Sequence, residues 1–207
     1  MMQFVKPEDI EKRSLEIIAA ELGDRKFPPE NEPVIRRVIH TSADFDYADN
    51  LTFSDGAVRR GIEALRAGCD IVTDTQMAKA GINKSVLAKL GGQVYCFMSD
   101  EDVAKEARER GVTRATVSME RAARLEKPCV FAIGNAPTAL IRIRELVDAG
   151  QLAPALIIGV PVGFVNVVES KELILGMRTP YIVARGRKGG SPIAAAICNA
   201  LLYQIGR

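Results

Sequence analysis

The feature that most constrains this chain is a series of short runs that are apolar at successive positions rather than at alternate ones. They fall at residues 69–73, 93–98, 128–133, 155–158 and 180–184, with a shorter run, Asn50-Leu51-Thr52-Phe53, ahead of them. A strand that is apolar on both faces has to be covered on both faces, which is the condition of a strand inside a parallel sheet. Parallel neighbours need long crossovers, and the segments between these runs have helical length. Gly68, Gly111 and Gly150 stand where such helices stop. The expected architecture is therefore a three-layer α/β/α fold with a mainly parallel sheet of about six strands and right-handed crossovers. No Gly/Ser-rich linker, repeat or composition break divides the chain, so one domain over residues 1–207 is expected, with a helical segment over about 1–48 and an α/β core over about 49–207.

The helical segment begins at Pro7-Glu8-Asp9-Ile10, where proline and acids suit a first turn. Ile10, Leu15, Ile17, Ile18 and Leu22 mark its apolar side, and Gly23 ends it. Ser14 falls in its middle, where a hydroxyl is either solvated or bonded back to the preceding turn. A second helix follows the proline-rich turn at 27–33, with Val34, Ile35, Val38 and Ile39 facing inward. His40, the single histidine, lies at its C-terminal end, and residues 41–46 read as the loop beyond. Further along, Ser54 or Asp55 is placed to cap the helix that runs to about Ala67.

The net charge of +2 gives no excess that would favour nucleic acid or an anionic membrane, and the lack of Trp with few other aromatics argues against a base-stacking surface. No uninterrupted apolar run approaches the roughly 20 residues of a membrane span. The N-terminal residues lack the apolar core of a signal peptide. Cys69, Cys96, Cys129 and Cys198 sit apart, each within an apolar run, with no zinc or redox spacing. A reduced, cytoplasmic protein without a metal site is expected.

Ligands of open parallel sheets bind beyond the carboxyl ends of the strands. Three post-strand segments stand out there. Gly134-Asn135-Ala136-Pro137 leads into a helix whose free N–H groups can hold an anion. Gly159-Val160-Pro161-Val162-Gly163-Phe164 implies close backbone approach to another segment or to a ligand. Arg185-Gly186-Arg187-Lys188-Gly189-Gly190-Ser191 sets three cations and three glycines before a helix N-terminus and reads as an anion site. No Gly-x-Gly-x-x-Gly, Walker-type or Gly-x-Ser-x-Gly pattern is present, which counts against a dinucleotide enzyme, a P-loop protein and a serine hydrolase. Histidine is the side chain suited to exchange a proton near neutral pH, so His40 is where histidine acid–base chemistry has to occur, although a lone histidine at a helix end more often caps or packs.

Taken together, Val38-Ile39-His40-Thr41-Ser42-Ala43-Asp44-Phe45-Asp46, Gly134-Asn135-Ala136-Pro137-Thr138-Ala139-Leu140, Gly159-Val160-Pro161-Val162-Gly163-Phe164-Val165, Glu169-Ser170-Lys171-Glu172 and Gly186-Arg187-Lys188-Gly189-Gly190-Ser191 resemble the signatures of the precorrin-8X (cobalt-precorrin-8) methylmutase family, in the family's order and over Ile10 to Leu202. The family run usually has Thr-Thr after the histidine, where this chain has Thr41-Ser42, and Ser-Phe in the first helix, where it has Ser14-Leu15. The resemblance implies an isomerase of cobalamin biosynthesis that moves a methyl group from C11 to C12 of a corrinoid, with no redox cofactor or methyl donor. It also implies a homodimer with active sites near the subunit interface, and places His40 as the acid.

A corrinoid is a broad apolar disc edged with carboxylates, so cations and N–H donors are needed around its site. Arg13, Ser14, Thr41, Asp44, Arg114, Asn135, Arg185 and Lys188 are the expected substrate contacts, with Arg36, Arg37 and Arg187 as further candidates. A non-catalytic tetrapyrrole carrier using the same anion rim is the competing reading.

Overall fold

A computed structural model describes residues 6–206; residues 1–5, part of the N-terminal run read above as no leader, lie outside them. A 3-10 turn at Pro7–Asp9 leads into α1 (Ile10–Leu22), then α2 (Glu32–Ser42) and the short α3 (Tyr47–Asn50). The core follows as β1 (Leu51–Phe53), α4 (Ala57–Arg66), β2 (Asp70–Thr73), α5 (Gln76–Gly81), α6 (Lys84–Lys89), β3 (Val94–Tyr95), α7 (Glu101–Arg110) and α8 (Arg114–Ala122). It ends with β4 (Cys129–Ile133), α9 (Pro137–Asp148), β5 (Leu156–Gly159), α10 (Val167–Leu175), β6 (Tyr181–Ala184) and α11 (Ser191–Tyr203).

The six strands form one sheet in the order β1-β6-β5-β4-β2-β3. All neighbours are parallel except β1, which runs antiparallel to β6 with Leu51 opposite Ala184. The central strands are sealed on both sides. Val130 and Ala132 of β4 join the apolar cluster made with α2, α4, α5 and α11, whereas Cys129, Phe131 and Ile133 join the one made with α8, α9 and α10. These five residues are at most 4% exposed, and each large apolar side chain so buried contributes about 1.5–3 kcal/mol. The strand order reverses between β2 and β4. The helices change faces at the same point, as right-handed crossovers require.

Several local expectations change. Residues 41 and 42 continue α2 by part of a turn, and the helix stops at Ala43, which takes a left-handed conformation at φ 53°. Ser54 does not cap α4; its hydroxyl accepts the N–H of Tyr181 at 2.9 Å, and Gly56 stands at the helix start. The run at 93–98 forms only a two-residue strand at the sheet edge. Asn83 caps α6 through the N–H of Val86. On α1, Ile18 and Leu22 are buried as expected, but Ile10 and Ile17 remain 52% and 40% exposed.

Candidate active site

The carboxyl ends of β4, β5 and β6 and the turn after β2 form one interlocked rim. Gly190 N–H donates to Val160 O at 2.8 Å and Gly163 N–H to Arg187 O at 3.2 Å. Thr75, after β2, shares a 2.7 Å hydroxyl contact with Ser191 at the head of α11. Two glycines allow this closeness: a Cβ on Gly189 would lie 2.1 Å from Val160 O, and one on Gly134 would lie 2.7 Å from Ser191 Cα. The antiparallel direction of β1 brings the preceding chain to this same rim. Arg185 N–H donates to Asn50 O at 2.8 Å, so the segment from His40 to Asn50 sits beside the loop after β6.

His40 occupies the last turn of α2 and is partly exposed. It opens on a cavity of about 280 Å³ lined also by Ser14, Ile17, Ile18, Glu21, Ile39, Ala43 and Phe45. Ser14 thus faces the same cavity as His40, while its hydroxyl donates back to Ile10 O at 2.9 Å. Thr41 is exposed and its hydroxyl folds back onto Arg37 O. Arg36 and Arg37 line no part of this cavity. Arg36 pairs with Glu32, and Arg37 with Glu11 while lying over the Tyr203 ring.

The link between the histidine segment and the cationic loop is Lys188. Its ammonium donates at 2.6 Å to both Asp44 and Asp46. This pairing holds the Asp44 carboxyl below its ordinary value and raises the Lys188 ammonium. Asp44 also accepts the Asp46 N–H, which shapes the turn after α2. Arg185 pairs with Glu172 of α10 at 3.2 Å, and Arg187 lies over the exposed Phe164 ring at 5.4 Å. Arg13 pairs with Glu16 within α1.

Arg114, at the first position of α8, and Asn135, two residues before α9, lie elsewhere, on the face carrying those helices. Thr113 and Thr138 hydroxyls meet at 2.9 Å and join the starts of those helices. The N–H groups before α9 are not open to a ligand, contrary to expectation. Asp74, 1% exposed, accepts from Gly134 and Asn135 at 2.8 Å and from Ala136 at 2.6 Å. The carboxylate fills the crevice between β2 and β4, where the strand order reverses and where open sheets usually bind ligands. Burial raises its carboxyl above the ordinary value, and the N–H donors act against that.

Sequence reasoning missed three residues here. Asp74 stands directly after a strand, and that position was its signal. Asp46 lies in the stretch read as a loop and is not among the expected contacts, yet its carboxylate accepts from Lys188. Lys171 sits at a buried position of α10 and is 0% exposed, with nothing local to mark it beyond its place in the Glu169–Glu172 run.

Fold and rim together define an α/β protein that presents a histidine-lined, partly apolar cleft beside a cationic loop. Residues 9–204 match the model of the precorrin-8X methylmutase family. The chain is 44% identical to the cobalt-precorrin-8 methylmutase of Priestia megaterium, over 95% of this chain and 88% of that one. It is 45% identical to the cobalt-precorrin-8 methylmutase of Salmonella typhimurium, over 99% of each. The solved precorrin-8X methylmutase from Thermus thermophilus superposes with a TM-score of 0.86 at 37% identity, covering 94% of this chain and 96% of the other. The chain belongs to the precorrin-8X methylmutase family.

Proposed function

We propose that this chain is an intramolecular methyl-transferring isomerase of cobalamin biosynthesis, moving a methyl group from C11 to C12 of precorrin-8X or its cobalt-containing counterpart with His40 as proton donor. The observation that carries this reading is the position of the single histidine, in a cleft walled by Ile17, Ile18, Ile39 and Phe45 and one short loop away from Lys188. Apolar walls suit the face of the macrocycle, and the cations of residues 185–188 suit its carboxylate fringe. A methyl shift of this kind breaks the bond to C11 as the bond to C12 forms, so no nucleophile is needed. What the protein supplies is alignment of methyl and acceptor carbon, and a proton or hydrogen bond that lets the ring electrons redistribute. His40 gives that proton and takes it back at the end of the step, a role worth about 10²–10⁴-fold in rate. Ser14, Thr41 and Asp44 orient substrate in this reading, while Arg13, Arg114, Asn135, Arg185 and Lys188 meet its carboxylates.

The cleft of about 280 Å³ lies at or below the roughly 300–1,000 Å³ of sites that enclose a small ligand, and a macrocycle needs more. A homodimer in which a second copy completes the wall accounts for this, and exposed Ile10 and Ile17 beside the cleft fit such cover. The reading further makes residues 1–207 one catalytic domain working in the cytoplasm. It is supported there by four free, buried cysteines and by the lack, among the described residues, of any helix long and apolar enough to cross a membrane.

The test is His40→Ala, mixed with precorrin-8X and followed by absorption spectroscopy. The expected result is retained folding and corrinoid binding with turnover down by about 10²-fold or more. Conversion at the wild-type rate removes His40 as the acid. A wild-type protein that shifts the spectrum on binding but returns substrate unchanged is a carrier, not a mutase.

A further inference from the structure

We infer that Lys171 is a positioning residue that clamps the loop after β6 from below, so that Arg187 and Lys188 are presented outward to an anionic substrate; what the loop binds rests on the methylmutase reading, whereas the clamp does not. The buried face of α10 consists of Val167, Ser170, Lys171 and Ile174, the spacing of a core-facing stripe. A leucine or methionine at the third of these positions would serve the core without penalty. An ammonium there carries a desolvation cost, which stands unless hydrogen bonds meet it. The Lys171 ammonium meets it with backbone carbonyls, donating to Gly186 O at 2.7 Å and to Lys188 O at 2.8 Å.

Those two carbonyls flank Arg187, so one cation fixes both sides of the residue that lies over Phe164. The segment has little stiffness of its own. Gly186, Gly189 and Gly190 all have positive φ, at 74°, 158° and 131°. Between Gly186 and Gly190 its other hydrogen bonds include the Gly163 N–H to Arg187 O, the Gly190 N–H to Val160 O, and the Lys188 side chain to Asp44 and Asp46. The last of these is the one a substrate carboxylate competes with, because Asp44 and Asp46 already hold the Lys188 ammonium. With Lys171 holding the main chain, Lys188 can exchange partners while its backbone stays in place. Burial, which lowers the Lys171 ammonium to about 8, still leaves it mostly charged at neutral pH.

Lys171→Met keeps the length and packing and removes the ammonium. Hydrogen exchange of the ligand-free protein is the first readout. Peptides covering residues 160–164 and 185–191 are expected to exchange about tenfold faster or more, with β4 unchanged. In steady state, KM for the corrinoid is expected to rise about tenfold while kcat stays within about threefold, the pattern of lost uniform binding. Unchanged exchange in those two segments overturns the clamp. So does faster exchange spread evenly over the whole fold together with a matching fall in kcat, which marks an ordinary core residue. Lys171→Gln, read the same way with the same expectations, carries the test if the methionine variant does not fold. A wild-type protein that fails to convert substrate defeats the methylmutase reading, and the exchange comparison still decides the clamp.

Discussion

Replacing Asp74 by asparagine alters one atom of a buried carboxylate that receives three main-chain N–H groups. With its amide oxygen turned toward Asn135 and Ala136, the new side chain keeps those two bonds as neutral ones and sets an NH2 group against the Gly134 N–H. A hydrogen bond to a charged group is worth about 1.5–3 kcal/mol and a neutral one about 0.5–1.5, so weakening two bonds and losing the third removes about 3.5–6 kcal/mol of favourable contact. Relief from burying a charge at a site 1% exposed works against this loss, but the NH2 group set against the Gly134 N–H leaves buried donors unpaired at about 1–3 kcal/mol, so a net loss of about 2–3 kcal/mol remains. For a chain of this length 1 kcal/mol moves Tm by about 2–4 °C, so thermal unfolding at neutral pH is expected to shift down by about 4–12 °C. Asp74→Ala leaves all three donors unpaired at about 1–3 kcal/mol each, enough to approach the 5–15 kcal/mol total of a typical domain. An asparagine variant that melts within about 2 °C of wild type refutes the view that Asp74 holds the β2–β4 crevice closed.

Two further outcomes follow from the rim. Gly189→Ala sets a Cβ 2.1 Å from Val160 O at φ 158°, so the backbone has to move; a Tm loss of about 5 °C or more is expected, and a variant melting like wild type would show that the loop yields freely. Asp44 has a folded-state pKa held below 3.8 by Lys188, so its contribution to stability is present above 3.8 and is lost as pH falls through the folded value. Asp44→Asn should therefore flatten the acid limb of a Tm–pH curve below about pH 4, with little change in slope at neutral pH; parallel acid limbs for both proteins would remove the Lys188 pairing as the cause.

Much of the layer structure was legible because strand burial is written in consecutive residues. Val130-Phe131-Ala132-Ile133 has no polar position to face water, so covering layers on both sides were implied before any contact was known. Helix ends were readable at Gly23, Gly111 and Gly150, where positive φ suits glycine. The edges were less legible. Residues 93–98 look as strand-like as 128–133, but only Val94 and Tyr95 pair, since an edge position offers a single neighbour. Ser54 looks like a cap by sequence distance, and a strand 127 residues away claims its hydroxyl instead. On the rim, the glycines announced close approach correctly at Gly189, where Val160 lies against the backbone. The open anion site expected before α9 was wrong because the competing anion, Asp74, is sixty residues earlier in the chain, counted to Gly134.

The sequence by itself determined the class of fold, the helix that carries His40, the cationic loop at 185–188 and, through its runs, the family. Each of these depends on residues close together in the chain, where spacing and side-chain type act directly. Only the tertiary structure decided that β1 runs antiparallel and returns the His40 segment to the carboxyl rim, that Lys188 is held by Asp44 and Asp46, and that Lys171 is buried beneath the loop it ties. The physical reason is that a charged side chain has no preferred partner until folding brings carbonyls or carboxylates within about 3 Å, and those partners lie 15 to 144 residues away in the chain.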